Sequence, residues 1–328
     1  MKQYLKENYK FILSVILILV VFSIRFPYYI DAPGGITDMS KKIEINGYES
    51  EGSFNLAYVK EYRATIPTLI FSLFNKDWKV IKQDDVMLDT EDYEAYEMRD
   101  KVLMDESISN ATYIAYKKAN KYIKEISNKI VIIYITETSN TDLKVGDEII
   151  SINNEYVYNK DDVTNIVNKL SVGSKVDIKV KNNNKEYTRY AYIIEEDNNK
   201  IIGILISNLK EYETNPKVNV IVDKNESGSS GGLITALSIY NSLVKEDITH
   251  GLRIVGTGTI DLDGNIGSIG GVEYKLKSAV KKKADLFIVP NDENYEQALK
   301  VKKENSYNIE ILGVSTFDEV IDYLNGKN

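Results

Sequence analysis

Apolar and polar positions follow three different rhythms along this chain, and each rhythm marks off a region. Phe11 to Ile24 is almost unbroken apolar sequence, preceded by Lys2, Lys6 and Lys10 and followed by Arg25. As a helix it reaches about 21 Å, short of the roughly 30 Å hydrocarbon core of a bilayer. Counting Phe26 to Ile30 completes a crossing, with Arg25 reaching back to the interface and Tyr28 and Tyr29 in the aromatic belt. The run therefore predicts one N-terminal transmembrane helix over residues 11–30 and a cytoplasmic tail over 1–10. Lysines ahead of the run favour an inside N-terminus, which puts the bulk of the chain outside the cell membrane. A cleaved signal peptide is the other reading of such a run; no small-x-small site follows it, which favours an anchor that stays.

Beyond the anchor the pattern loosens. In residues 31–127, Ser53 to Val59 alternates like a strand and Ala64 to Phe74 is apolar. Tyr93 to Ile126 carries Val102, Ile108, Ala111, Ala115, Ala119, Tyr122 and Ile126 at helical spacing, which predicts one long amphipathic helix. Residues 128–207 change to a two-residue period. Strands are predicted over Ile130–Ile135, Val176–Val180, Tyr187–Ile194 and Ile201–Ile206, with one short helix over Asp161–Leu170. Residues 208–328 alternate strands and helices. Val218, Val220 and Val222 begin a strand, Leu233 to Leu243 a helix, and Arg253 to Ile260 another strand. Asp261-Leu262-Asp263-Gly264-Asn265 reads as a hairpin turn. Strands at Leu286–Val289 and Ile309–Val314 alternate with helices at Glu293–Glu304 and Thr316–Leu324, the last opened by a Thr316/Glu319 capping box.

Composition narrows the chemistry. The net charge is −8, so no basic surface invites nucleic acid. There is no cysteine and one histidine, His250, which excludes disulfides and thiolate or imidazole metal centres. The Asp261–Asn265 carboxylates lack the length and the closing glutamate of a calcium loop. No Gly-x-x-x-x-Gly-Lys-Ser/Thr phosphate loop occurs, so no ATP site is expected. No metal or other cofactor is expected either.

Two glycine corners remain as candidate chemistry. Glu226-Ser227-Gly228-Ser229-Ser230-Gly231-Gly232 joins a strand to a helix, where backbone N–H groups and the positive end of the helix dipole converge. A hydroxyl at that turn would be exposed beside oxyanion donors. Ile269-Gly270-Gly271 precedes a second helix on which Lys275 lies at the edge of the arc formed by Val272, Leu276, Ala279 and Val280, while Lys277 and Lys281 face solvent. A lysine leaning into a core can lose its charge near neutral pH; at its free pKa of about 10.4, under a thousandth is neutral there.

Gly228-Ser229-Ser230-Gly231-Gly232-Leu233, then Gly256-Thr257-Gly258-Thr259-Ile260-Asp261, then Ile269-Gly270-Gly271 with Lys275, resembles the proteolytic domain of Lon-type serine peptidases. The resemblance implies Ser230 as nucleophile, Lys275 as general base and Thr257 as a supporting hydroxyl, with Ser229, Gly231 and Gly232 forming the oxyanion turn. It departs from the family in one place: the usual Gly-Pro-Ser-Ala-Gly is Gly-Ser-Ser-Gly-Gly, which loosens the turn and makes Ser229 a rival hydroxyl. Leu143-Lys144-x-Gly146-Asp147-x-Ile149 before a strand, followed by a helix and a Gly-Ser turn, resembles a PDZ domain. Together with Tyr29-Ile30-Asp31-Ala32-Pro33-Gly34, this looks like the membrane-anchored, PDZ-containing branch of Lon-like peptidases. The implied architecture is α+β: a Lon-type proteolytic domain over 208–328, a PDZ-like unit over 128–207 inserted after a first part over 31–127, and the N-terminal anchor. The implied activity is an ATP-independent serine endopeptidase acting on extracytoplasmic peptides or surface proteins. Such substrates would add as a strand along a groove between Ile130–Ile135 and the 161–170 helix.

Two other readings use the same residues. Gly228-x-Ser230-x-Gly232 fits the nucleophile elbow of α/β-hydrolase esterases, with Asp247 and His250 as partners, although their spacing is tight for separate loops. The altered nucleophile turn also fits a catalytically dead, membrane-tethered peptide-binding protein.

Overall fold

The computed structural model describes residues 2–326. Helix α1 (Lys2–Ser23) exposes most of its apolar side chains, among them Phe11, Leu17, Leu19 and Phe22. Among the described residues no helix is long and apolar enough to cross a membrane, which corrects the expected span over 11–30. Lys6, Glu7 and Lys10 break the apolar stretch at its start. At its other end Pro27 intervenes, and Tyr28 begins strand β1 (Tyr28–Asp38). Tyr29, Ile30 and Ala32 are buried there, so residues counted toward the anchor belong to a sheet.

Strand β2 (Ile43–Ile45) follows, and then β3 (Ser53–Arg63), which pairs antiparallel with β1 from Tyr29↔Arg63 to Asp38↔Asn55. Helix α2 (Ile66–Phe74) starts on a Thr65/Thr68 capping box with Pro67 in its first turn. Strand β4 (Lys79–Lys82) covers the other edge of β1. Helix α3 (Tyr93–Lys118), capped by Asp92, ends before the expected Ile126. The chain turns at Asn120, whose φ is 52°, and Tyr122 opens strand β5 (Tyr122–Ile135). Tyr122 and Ile126 kept the helical spacing by coincidence; both are exposed strand residues.

The middle unit is built on β5, β6 (Glu148–Ile152), β7 (Glu155–Tyr156), α4 (Lys160–Asn168), β8 (Lys175–Asn182), β9 (Lys185–Tyr192), β10 (Ile194–Glu196), β11 (Asn199–Ile201) and β12 (Ile204–Asn215). Its sheet runs β12-β5-β6-β8-β9. Alternation does the packing: Val176, Ile178 and Val180 of β8 face inward, meeting Ile130, Ile132, Ile149 and Ile152 under Val163, Ile166 and Val167 of α4. Asp147 is fully buried, paired with Arg189 at 2.7 Å and accepting from the Lys144 amide at 2.8 Å, which fixes the Leu-Lys-x-Gly-Asp turn.

The groove expected along Ile130–Ile135 is corrected. Strand β5 pairs with β12 along one side, while on the other it meets β6 at Ile130 and Val131 and Gly146–Asp147 at Ile132. The edge strand next to β5 is β12, and β9 forms the opposite edge. Farther along β12, Asn208 and Lys210 meet Glu106 and Ser109 of α3. Ile204–Ser207 of β12 therefore pairs with β5 on one side and with no strand on the other among the described residues.

The remaining elements are β13 (Val218–Val220), α5 (Gly232–Leu243), β14 (Arg253–Gly256), β15 (Thr259–Ile260), β16 (Ile266–Gly267), α6 (Val272–Lys281), β17 (Leu286–Pro290), α7 (Glu293–Glu304), β18 (Glu310–Val314) and α8 (Phe317–Asn325). The expected strand over 253–260 is broken at Thr257-Gly258, where the chain leaves the sheet to form the β15–β16 hairpin. The main sheet has the order β18-β17-β14-β3-β1-β4. Strands β14, β17 and β18 are parallel, and β3 joins β14 in parallel from Arg253↔Ser53 to Gly256↔Leu56. Strands from before and after the middle unit thus share one sheet. Helix α3 packs on α5 and shares a core with α8, through Ala111, Ile114, Ala115, Leu233, Leu237 and Phe317.

Candidate active site

The turn ahead of α5 is gripped from two sides. From α3, the Asp100 carbonyl accepts from the Gly228 amide at 3.0 Å and Ser107 Oγ donates to the Ser229 carbonyl at 2.8 Å. From the break after β14, the Gly258 amide at 2.9 Å and Thr257 Oγ1 at 3.0 Å both donate to the Ser230 carbonyl. Gly232 lies where α5 passes α3 and β15: a Cβ there would sit 2.6 Å from Ser107 Oγ and 2.8 Å from the Ile260 side chain. Gly232 is therefore a packing requirement. The missing proline is offset by these external hydrogen bonds, which hold the turn without a fixed φ.

Ser230 and Gly231 line a cleft of about 930 Å³, whose other walls include Leu56, Tyr58 and Val59 of β3. Ser229 is not part of that lining, and its carbonyl is held by α3. The Gly232 and Leu233 amides donate to Ser229 O at 3.3 Å and Gly258 O at 3.0 Å. Gly232, expected in the oxyanion turn, thus has its donor engaged within the turn, whereas no acceptor is recorded among the described residues for the Ser230 and Gly231 amides. Those two amides are the ones placed at the dipole's positive end.

Helix α6 brings Lys275 in from behind. Its N-cap, Gly271, has φ 66° and would bring a Cβ within 2.6 Å of Val59; a side chain there would be strained in backbone and in space. Val272, Leu276 and Ala279 anchor the helix in the core beside Ala57 and Val255. Lys275, on the same side, is only 3% exposed. Its Nζ donates to Thr257 Oγ1 at 3.1 Å, and Thr257 is itself fully buried. Burial alone, with no carboxylate to hold the charge, pushes the Lys275 amine down to about 7. Neither Lys275 nor Thr257 lines the cleft. The amine is dry, and the serine is wet.

The hydrolase partners lie elsewhere. His250 Nε2 meets the Leu324 carbonyl of α8 at 3.0 Å, and Asp247 sits beyond the far end of α5. That helix has 12 residues, so its ends are about 18 Å apart. Asp247 accepts from Thr249 N and Oγ1, Asn241 Nδ2, Ser50 Oγ and Glu51 N. Burial works against its charge, but the Thr249, Glu51 and Asn241 donors outweigh it and hold the carboxyl near 2. It closes a loop and serves no histidine. Asp261 likewise accepts from the Asp263 and Asn265 amides of its own hairpin. Asp100 and Ser107, which fix the turn, carried no signal in the sequence, because they sit on a helix more than a hundred positions upstream.

With this geometry in hand, similarity to known proteins has a place to attach. Residues 202–325 match the family profile described as the Lon protease (S16) C-terminal proteolytic domain. The Lon protease of Campylobacter jejuni is 31% identical over 126 residues, 35% of this chain, and Lon protease 2 of Bacillus subtilis is 36% identical over 95 residues, 29% of this chain. In both cases the match covers 16% of the relative's length. Among solved structures, the PDZ domain of the SdrC-like protein from Listeria monocytogenes aligns with 25% of this chain and 92% of its own, at 17% identity and a TM-score of 0.23. The second domain of another listeria protein aligns with 25% of this chain and 86% of its own, at 21% identity and the same TM-score. The carboxy-terminal part of the chain, carrying Ser230, Thr257 and Lys275, is thus similar to the proteolytic domain of Lon-type serine peptidases.

Proposed function

We propose that the protein is an ATP-independent serine endopeptidase in which Ser230 and Lys275 act as a dyad supported by Thr257. The observation that carries this reading is the 3% exposed Lys275, hydrogen-bonded to the threonine that grips the Ser230 carbonyl. A neutral amine takes the Ser230 proton as the hydroxyl attacks a peptide carbonyl, and the Ser230 and Gly231 amides hold the resulting oxyanion. The ammonium then returns its proton to the leaving amine, and water releases the acyl-enzyme.

The cleft favours an extended peptide. Strand β14 pairs only with Ser53–Leu56 of β3, so that edge of β3 carries no strand from Ala57 to Arg63, the stretch that borders the cleft. A substrate strand added there would pass Ser230 with its backbone held and its side chains free. In the same reading the PDZ-like unit offers a second strand site beside Ile204–Ser207 and hands peptides or exposed loops to the cleft. We place the enzyme on the surface of the cell membrane, attached through the exposed apolar side chains of α1 without a crossing helix and facing outward; digestion by protease added to intact cells tests that placement.

The decisive experiment for the chemistry is labelling with a serine-directed fluorophosphonate, followed by peptide mapping. Modification at Ser230 that disappears in Ser230→Ala and in Lys275→Met is expected. Absence of labelling in the wild-type protein at pH 8, where the amine is mostly neutral, would favour a peptide-binding protein without catalysis.

A further inference from the structure

Helix α2 is a well-formed element in which no residue is fully buried. Its start is fixed by the Thr65/Thr68 capping box and Pro67, yet Ile70 and Phe71 are about half exposed, and Leu73 and Phe74 are 81% and 83% exposed. Leaving four large apolar side chains in water on one short helix forgoes several kcal/mol of burial, and such patches mark a binding surface. The patch continues onto neighbouring elements. Trp78 sets its ring edge-on to Phe71 at 4.7 Å and stacks on Tyr62 at 5.7 Å. The linker after α1 is tied to the start of α2 by a Phe26 N–H to Ala64 carbonyl bond of 3.0 Å. The end of α1, with Leu19, Phe22 and Ile24 exposed, therefore lies beside α2.

We infer that α2 is a second lipid contact, lying in the interfacial zone of a bilayer with Phe71, Leu73 and Phe74 in the acyl region and Trp78 at headgroup level. The inference rests on the membrane placement proposed above and adds a site to it. Chemistry around the patch decides between occupants. Its rim carries exposed Arg25, Lys76, Lys79 and Lys82, while the Asp77 carboxylate is engaged by Lys277 at 3.0 Å. A second copy of the chain would bring four like charges against these four, whereas anionic headgroups complement them. Tryptophan and tyrosine between an apolar face and a basic rim is the arrangement that favours a membrane–water boundary. Docking α2 would also fix the tilt of the main sheet over the membrane, since α2 connects β3 to β4 and packs against β1 and β4 of that sheet.

Trp78 is the chain's one tryptophan, which makes it the reporter. The full chain is mixed with vesicles of phosphatidylglycerol and phosphatidylcholine, with or without bromines placed high on the acyl chains. Co-sedimentation reads attachment as a whole, and quenching of Trp78 reads α2. Attachment with about half of the Trp78 fluorescence lost to the brominated lipid is expected for a ring at the interface. In a Leu73→Asp/Phe74→Asp full-length variant, quenching should fall at least severalfold while co-sedimentation and far-UV circular dichroism are retained, because neither side chain is in the core. Co-sedimentation without quenching in the wild type overturns the inference and leaves the membrane placement standing. Failure to co-sediment overturns both. Trp78 emission that shifts with protein concentration and not with lipid assigns the patch to a second copy, which also overturns it.

Discussion

Lys275 Nζ and Thr257 Oγ1 are 3.1 Å apart in a site that water does not reach, and the direction of the bond follows from counting protons. A threonine hydroxyl has one hydrogen, and Thr257 donates it to the Ser230 carbonyl at 3.0 Å. The amine must therefore be the donor. Neutral lysine has two hydrogens and one lone pair, so this bond leaves the lone pair free for another proton. The threonine orients the base without neutralising its basicity.

Lys275→Arg is expected to abolish peptide cleavage, by about a thousandfold or more in kcat/KM, because a guanidinium does not deprotonate and is too large for the pocket. Lys275→Met is unbranched, one atom shorter and uncharged, and should be equally inactive while folding normally. Cleavage by either variant at the wild-type rate would remove Lys275 from the mechanism.

Activity should rise with pH through about 7, the value to which burial lowers the amine. Stability should rise over a different window. The folded-state pKa lies below the unfolded value of 10.5, so between about 7 and 10.5 the unfolded chain binds more protons than the folded one. In that window the unfolding free energy increases with pH, by up to about 4–5 kcal/mol in all, and it is flat below it. Urea titrations of wild type and Lys275→Met at pH 6, 8 and 9.5 measure this. The difference between the two proteins should change with pH, and parallel curves would contradict the buried neutral amine.

Thr257→Val keeps the shape and removes both hydrogen bonds. It is expected to lower kcat by about 10–100-fold with little change in KM, since the hydroxyl orients the base and touches no substrate. The unsatisfied Lys275 donor should cost about 1–3 kcal/mol in stability, while the Ser230 carbonyl keeps its bond from the Gly258 amide. Thr257→Ser, which restores the hydroxyl, should recover most of both; rescue of stability without rescue of kcat would assign the residue to folding alone.

Gly232→Ala should destabilise by about 1–3 kcal/mol, as a Cβ in that position overpacks the α3–α5 crossing. The thermal midpoint reads this directly. A Ser107→Ala/Gly232→Ala double variant should lose less than the sum of the single losses, because Ser107 Oγ is the closest obstacle at 2.6 Å.

His250→Ala should retain full peptidase activity, because the ring is committed to the Leu324 carbonyl and the serine turn lies at the opposite end of α5, a helix about 18 Å long. Loss of activity with the fold intact would revive the hydrolase reading.

Local sequence decided a good deal here. Hydrophobic alternation placed the strand at 176–180 and unbroken apolar runs those at 130–135 and 286–289, because a half-buried strand repeats every second residue and one covered on both faces does not. The two glycine corners located Ser230 and Lys275, since a strand-to-helix turn with a close helix crossing admits few other residues, and the arc through Val272, Leu276 and Ala279 turned the lysine inward. The same pattern misled wherever a partner distant in sequence chose the conformation. Phe26 to Ile30 are as compatible with a membrane helix as with a strand, and it is β3 and β4 that claim them. Tyr122 and Ile126 kept helical spacing, yet β12 pulls them into a sheet. Arg253 to Ile260 looked continuous until the Thr257-Gly258 break turned toward Ser230.

From the sequence by itself came the identity of the reacting groups and the faces on which they lie, because side-chain type and periodicity are local properties. Tertiary structure alone decided that the amine is dry, that Asp100 and Ser107 hold the turn, that the Ser230 and Gly231 amides are left without an acceptor among the described residues and that one edge of β3 is bare beyond Leu56. Each of these depends on which segments far apart in the chain come to lie side by side. Burial and hydrogen bonding are set by those neighbours, and a linear pattern does not record them.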